Sequence, residues 1–119
     1  MAIERGIMLI YIIGKITGNP NYGAQFARAE AALRREYSCD IINPASRGDM
    51  SQADYARLSY DAVTKADAVA CLWTTDDSFG AAMEWHIANG QGKLMMSITP
   101  DYEIKEVDKL VKELKDAKD

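Results

Sequence analysis

The residue of this chain with the best opportunity to do chemistry is Glu84. It falls in Ser78-Phe79-Gly80-Ala81-Ala82-Met83-Glu84, where Ser78 is placed to cap a helix and the glutamate arrives in that helix's second turn. Its same-face neighbours at three and four residues are Gly80, Ala81, Ile87 and Ala88, so it belongs to no charged face. Helical side chains lean toward the N-terminus, and the small residues there leave room for a ligand. A carboxylate aimed into such a space is a candidate nucleophile, general base or acceptor for ribose hydroxyls. A solvated helical glutamate is the plain alternative.

A second group of interest is the stretch Gly14-Lys15-Ile16-Thr17-Gly18, which ends an apolar run and precedes a helical pattern. Its backbone amides, the Lys15 ammonium and the Thr17 hydroxyl can cradle a phosphate, although glycines there also serve a tight turn. It matches neither GxGxxG nor the Walker pattern. Ser78 adds a hydroxyl and a helix N-terminus to the same reading, while Asp76 and Asp77 just before it would repel an anion if they turned inward. His86 lies two residues past Glu84, on a different helix face, with no nearby Ser or Cys to activate. Cys39 and Cys71 have no CxxC spacing and no histidine companion, so reduced core cysteines are expected, with neither metal nor cofactor. Met83, Met95 and Met96 read as core filler, and Trp73 and Trp85 are expected beside the mouth of the site.

These residues need elements to hold them. Residues 7–13 form a continuous apolar run, the mark of a strand buried on both faces. Residues 22–36 place Phe26, Ala29, Leu33 and Tyr37 at helical spacing, and residues 39–42 are a short strand ended by Asn43-Pro44. Ser51 with Asp54 resembles a capping box opening a helix through residue 65, with Tyr55, Leu58, Ala62 and Val63 inward. A strand at 68–73, a helix from Ser78 to near Gly90, a strand at 94–98 and a helix over 103–118 complete an alternating βα order. That order predicts one α/β domain over residues 1–119, doubly wound and flavodoxin-like or Rossmann-like, with a four- to five-stranded parallel sheet between helical layers. Ligands of such sheets sit at the carboxyl ends of the strands, which selects the loops at 14–21, 43–49 and 74–78.

Composition narrows the partners. The 119 residues carry 14 Lys and Arg against 18 Asp and Glu, a net charge of -4. The cations Arg28, Arg34, Arg35, Arg47 and Arg57 are scattered, which argues against binding of a nucleic acid duplex. No segment reaches the roughly 18 apolar residues of a membrane span, and the N-terminal run lacks the leader and cleavage site of a signal peptide. The expectation is a cytoplasmic protein with no membrane partner.

Taken in order, the residues resemble the nucleoside 2-deoxyribosyltransferase superfamily, especially its short, often phage-encoded branch. The likeness runs from about residue 9 to residue 98. It is carried by Tyr11, Gly14, Ile16, Thr17 and Gly18, then Asn21, Phe26 and Ala29, then Asn43, Pro44 and Ala45, then Asp67, and finally Ser78, Gly80, Ala81 and Glu84. The resemblance implies that Glu84 is the catalytic nucleophile with Tyr11 beside it. It also implies that Gly14, Lys15, Thr17, Gly18, Asn43, Ser78 and Gly80 bind substrate, a 5′-phosphate being held between the first loop and Ser78. The implied partner is a small nucleoside or nucleotide, the implied assembly a dimer-based homo-oligomer, and the implied reaction cleavage or transfer at an N-glycosidic bond. Three places depart from the pattern: Lys15 stands where relatives often carry proline, Thr75-Asp76 where they often carry a Trp-Glu pair, and Ser59 where they place an aspartate eight residues ahead of Asp67. Asp61, Asp76 or Asp77 are the candidate replacement acids; without one, the alternative is a catalytically silent protein that binds or sequesters nucleotides.

Overall fold

In a computed structural model, which describes residues 7–47 and 51–106, the first apolar run is the strand β1 (Met8–Ile13). It has a strand on each side, so its backbone pairs twice, and packing on both faces of the sheet buries its side chains from Ile10 to Ile13. The others are β2 (Cys39–Ile42), β3 (Ala68–Leu72), β4 (Leu94–Ile98) and β5 (Ile104–Glu106), in the order β2-β1-β3-β4-β5. All neighbours pair in parallel except β5, which runs antiparallel to β4. The fold is thus α/β and flavodoxin-like, as expected.

Among the described residues, three α-helices cover the sheet: α1 (Tyr22–Glu36), α2 (Gln52–Lys65) and α3 (Phe79–Gly90). Alternation along β1 divides the core in two. Met8, Ile10 and Ile12 meet Phe26, Ala29 and Leu33 of α1, with Tyr37 just beyond it. Tyr11 and Ile13 face the other way, toward Ala62 and Val63 of α2 and Ala81 and Ala88 of α3. The helix starts are fixed by the serines read from the sequence. Ser51 Oγ accepts from the Asp54 amide at 3.1 Å and Ser78 Oγ from the Ala81 amide at 3.2 Å. At the opposite ends of the strands, the Asp67 carboxylate accepts from the Leu9 amide at 2.8 Å, and Asp67 N donates to Leu9 O at 2.8 Å. This side chain takes the place of a strand partner for β1.

Two expectations need correction. The helix read over 103–118 begins instead as β5, and the remainder of that pattern, with Val107, Leu110, Val111 and Leu114, lies outside the described residues. The cause is a tight reversal after β4. The Tyr102 amide donates to Thr99 O at 2.8 Å, the Thr99 amide to Glu103 O at 2.9 Å, and Tyr102 itself has φ 61, so the chain folds back onto β4's open edge. On α2, Leu58 is 45% exposed rather than inward. The buried face of that helix runs through Ser59, Ala62, Val63 and Ala66, and Leu58 is a helical step of about 100° from Ser59.

Candidate active site

The carboxyl ends of β1, β2 and β3 open into a cavity of about 700 Å³. It sits where the chain order reverses across β1, the place where doubly wound sheets hold ligands. Each of the three loops selected from the sequence reaches it. Lys15, Ile16 and Thr17 come from the first loop, Pro44, Ala45 and Arg47 from the second, and Asp77 and Ser78 from the third, with Gly80 and Met83 of α3 and Tyr55 of α2 closing the walls.

Glu84 lies behind this wall, one turn beyond Gly80, and is only 1% exposed. The Tyr11 hydroxyl, from the middle of the sheet, donates a hydrogen bond to Glu84 Oε2. Burial pushes the Glu84 carboxyl up to about 7, and the Tyr11 hydrogen bond, Ser59 and the Arg47 guanidinium pull against that rise. The Tyr11 hydroxyl is held well above the ordinary tyrosine range by burial and by the Glu84 charge. Tyr55 is raised too, first by burial and then by Glu84. The same order of causes pushes the Cys71 thiol up to about 12, with Asp76 adding to it, so the thiolate form is disfavoured at this buried cysteine.

The other residues singled out from sequence divide by what they touch. Lys15, Thr17, Ser78 and Gly80 line the cavity. A Cβ on Gly80 would come to 3.7 Å from the Tyr55 ring, so the space in front of it is bounded by that ring. Gly14 is buried instead in the core. A Cβ there would stand 2.8 Å from Leu72 Cδ1 and 3.0 Å from Phe26 Cζ, so both side chains would have to shift to admit any larger residue. Gly18, at φ +75, turns the loop. The Lys15 backbone is already engaged, its amide donating to Thr74 Oγ1 at 3.0 Å and its carbonyl accepting from Asn19 Nδ2 at 2.9 Å. What Lys15 offers a ligand is therefore its ammonium.

Asn43 shapes the second loop. Its Oδ1 accepts from the Ala45 amide at 3.0 Å and its Nδ2 donates to Glu30 Oε1 at 3.1 Å. Of the candidate replacement acids, only Asp77 lines the cavity; Asp61 is exposed on α2, and Asp76 faces a smaller hollow of about 350 Å³ beyond β3. Trp73 and Trp85 line that hollow too, not the mouth of the larger cavity. Trp73 packs edge-on against Tyr102, which the reversal into β5 brings to it. His86 is exposed beside Trp85. Met83 lines the cavity rather than the core.

Two participants were not singled out from the sequence. Arg47 sits three residues after Asn43-Pro44 with its guanidinium 5.6 Å from the Tyr11 ring centroid and 5.8 Å from that of Tyr55. Its Nη1 donates to Ser59 Oγ at 3.3 Å. The signal was present, since Arg47 falls in the 43–49 loop at a strand's carboxyl end, but a count of scattered cations passes over it. Tyr55, expected to face the core, instead gives its ring to a wall between Gly80 and Arg47.

Residues 8–97 match the model of a domain of unknown function, DUF4406. Among solved structures, the chain is similar to a 2-desoxiribosyltransferase from Leishmania mexicana, with a TM-score of 0.61 and 19% identity over 77% of this chain. It spans only 64% of that protein's chain. It is also similar to the CMP N-glycosidase BcmB from Clostridium botulinum, with a TM-score of 0.55 and 18% identity over 89% of this chain and 79% of that one. At these identities the likeness is one of fold. No curated protein matches the sequence.

Proposed function

From a chain that belongs to the DUF4406 family, we propose an enzyme that cleaves or exchanges the N-glycosidic bond of a 2′-deoxynucleoside or its 5′-monophosphate, with Glu84 as nucleophile. The observation that carries this reading is the buried Glu84 carboxylate, held by Tyr11, directly behind the wall that Gly80, Met83 and Tyr55 give the strand-end cavity. Two structures of the same fold, one named for deoxyribosyl transfer and one for CMP N-glycoside cleavage, lend it support. In this mechanism a Glu84 oxygen bonds to C1′ as the C1′–N bond breaks, and the bonding pair leaves on the base nitrogen. The glycosyl ester then yields to water or to the nitrogen of a second base, which restores the carboxylate with net retention. Tyr11 fixes the attacking group, its hydrogen bond weakening as the carboxylate charge is consumed.

The test is chromatographic: free base is expected from one or more 2′-deoxynucleosides or their 5′-monophosphates. A second reading, a silent nucleotide binder, is favoured by the near-complete burial of Glu84 and by Ser59 in place of a carboxylic acid. Binding with no base released from any of these compounds would select it.

A 5′-monophosphate is expected to bind better than its nucleoside. Lys15, Ser78, Phe79 and Gly80 line the cavity. The Phe79 and Gly80 amides at the start of α3 have no partner within their helix, whereas the Ala81 amide is taken by Ser78 Oγ. Among the described residues, Asp77 is the one acid on the same wall against which these donors must prevail. Loss of one charge-assisted contact is worth roughly 1.5 to 3 kcal/mol. Calorimetric titration of Lys15→Ala should therefore show monophosphate binding weakened about tenfold or more, with the nucleoside nearly unaffected. Equal affinities for the two ligands in the wild type would remove the phosphate site.

A further inference from the structure

The glycosidic reading leaves a gap at the departing base, and the residues around Ser59 suggest how it is filled. Ser59 is fully buried, and a serine hydroxyl does not deliver a proton near neutrality as a carboxylic acid does. Its Oγ is held by Arg47 Nη1 at 3.3 Å. The Arg47 guanidinium also stands against two rings, 5.6 Å from the centroid of Tyr11 and 5.8 Å from that of Tyr55. Tyr11 in turn holds Glu84, so the guanidinium lies one side chain from the nucleophile. Arg47 lines the cavity and forms no ion pair among the described residues. Two rings and a buried hydroxyl fix its position, and a guanidinium has five N–H donors, more than Ser59 can take.

Resting on the glycosidic reading, the geometry points to Arg47 as the leaving-group residue, donating hydrogen bonds to the carbonyl beside the glycosidic nitrogen so that the base departs as an anion. The substrate class is a 2-keto pyrimidine of the uracil or thymine type. Glu84 forms the C1′–O bond while C1′–N1 breaks, and the electron pair stays on N1 and spreads to O2, where Arg47 donates. No proton moves in that step; the base anion takes one from water after it leaves. Adenine has no carbonyl at this place and departs readily only when a ring nitrogen is protonated, which needs an acid. Cytosine has the carbonyl, but its anion is much less stable.

A competing role for Arg47 is to support ionisation of Glu84. The groups that act on Glu84 are Tyr11 from β1, Ser59 from α2 and Arg47 from the second loop, while Tyr55 and Cys71 feel its charge. A supporting role would move the pH profile and slow every base alike.

The experiment compares base release from the 5′-monophosphates of 2′-deoxyuridine, 5-fluoro-2′-deoxyuridine, 2′-deoxycytidine and 2′-deoxyadenosine, by wild type and Arg47→Gln, across pH. The wild type is expected to release fluorouracil faster than uracil, and both much faster than cytosine or adenine. Arg47→Gln should slow uracil release about a hundredfold or more, the usual loss when one donor to a developing anion is removed, and adenine release far less, by no more than its effect on Glu84 ionisation. Equal wild-type rates for uracil and adenine would overturn the inference and leave the glycosidic reading standing. So would an Arg47→Gln loss equal for all bases with a displaced pH profile. No release of any base by the wild type would overturn both. The ratio of fluorinated to parent substrate needs no variant, so the test survives a misfolded Arg47→Gln.

Discussion

Glu84→Gln is expected to abolish base release and to make the protein more stable above neutral pH. The first effect follows from replacing an ionisable nucleophile by an amide of nearly the same shape, and a fall of about three decades or more is expected when the attacking group itself is lost. The second follows from burial. The Glu84 carboxyl is raised from 4.5 to about 7 in the folded protein. Between these values the folded state still holds a proton that the unfolded chain has released, so stability falls as pH rises through that window. Below both values the group contributes nothing to the pH dependence, and above about 7 the full penalty is present. A rise of this size corresponds to on the order of 3 kcal/mol. The amide of the Glu84→Gln variant has nothing to ionise and escapes this penalty.

Thermal melts of wild type and Glu84→Gln at pH 5 and pH 8 test this directly. The variant should gain several degrees over wild type at pH 8 relative to its difference at pH 5. Subtracting the two proteins removes every other titrating group, provided the substitution leaves those groups unchanged. A difference in melting temperature that is the same at both pH values would show that Glu84 is not a buried, reluctant carboxylate. Turnover carries the opposite sign. Because only the ionised form attacks, base release by the wild type should rise with pH through about 7, the region in which the folded protein loses stability. The site is therefore stabilised least where it works best.

What was legible in the sequence is what local pattern controls. The runs of β1, β3 and β4 are largely apolar because they lie in the interior of the sheet with both faces packed, and the serines at 51 and 78 cap their helices through contacts three residues away. The position of Glu84 among small residues was legible for the same reason. What was hidden depends on distant partners. Gly14 reads as a phosphate turn, but Leu72 of β3 and Phe26 of α1 crowd the place a side chain would take. Asn43 reads as a ligand contact, but its side chain is used between Ala45 and Glu30. The sequence over 103–118 carries a helical spacing of apolar residues, and the open edge of β4 is what takes its first part, Ile104–Glu106, as a strand. Arg47 gains its meaning from Tyr11, Tyr55 and Ser59, which the sheet and α2 bring to it. Residue type and spacing locate the cavity; the charge and proton inventory inside it is a property of the assembled fold.

Asp67→Ala is expected to destabilise the protein by about 3 kcal/mol while leaving ligand binding unchanged. Asp67 belongs to the same ordered set of matches as Glu84, so the sequence alone does not separate a site residue from a scaffold residue. The structure does. Asp67 is 6% exposed at the amino end of β3, and its Oδ2 accepts from the Leu9 amide at 2.8 Å. That amide belongs to β1, and the backbone of Asp67 also joins its two neighbours, donating to Leu9 O at 2.8 Å and accepting from Leu94 N at 3.3 Å. The residue thus ties β1, β3 and the start of β4 at the end of the sheet away from the cavity. A hydrogen bond to a charged acceptor is worth roughly 1.5 to 3 kcal/mol, and the orphaned Leu9 amide adds a further desolvation cost, since alanine leaves no acceptor in its place. Asp67→Asn retains an oxygen at the same reach and should lose only about 1 kcal/mol. Denaturant titration of the three proteins measures both differences. Nucleotide affinity of the folded variants, measured below their unfolding midpoint, should match wild type, because the site is built at the opposite strand ends. An Asp67→Ala protein as stable as wild type, or one that folds normally but no longer binds, would place this carboxylate in the site instead of the scaffold.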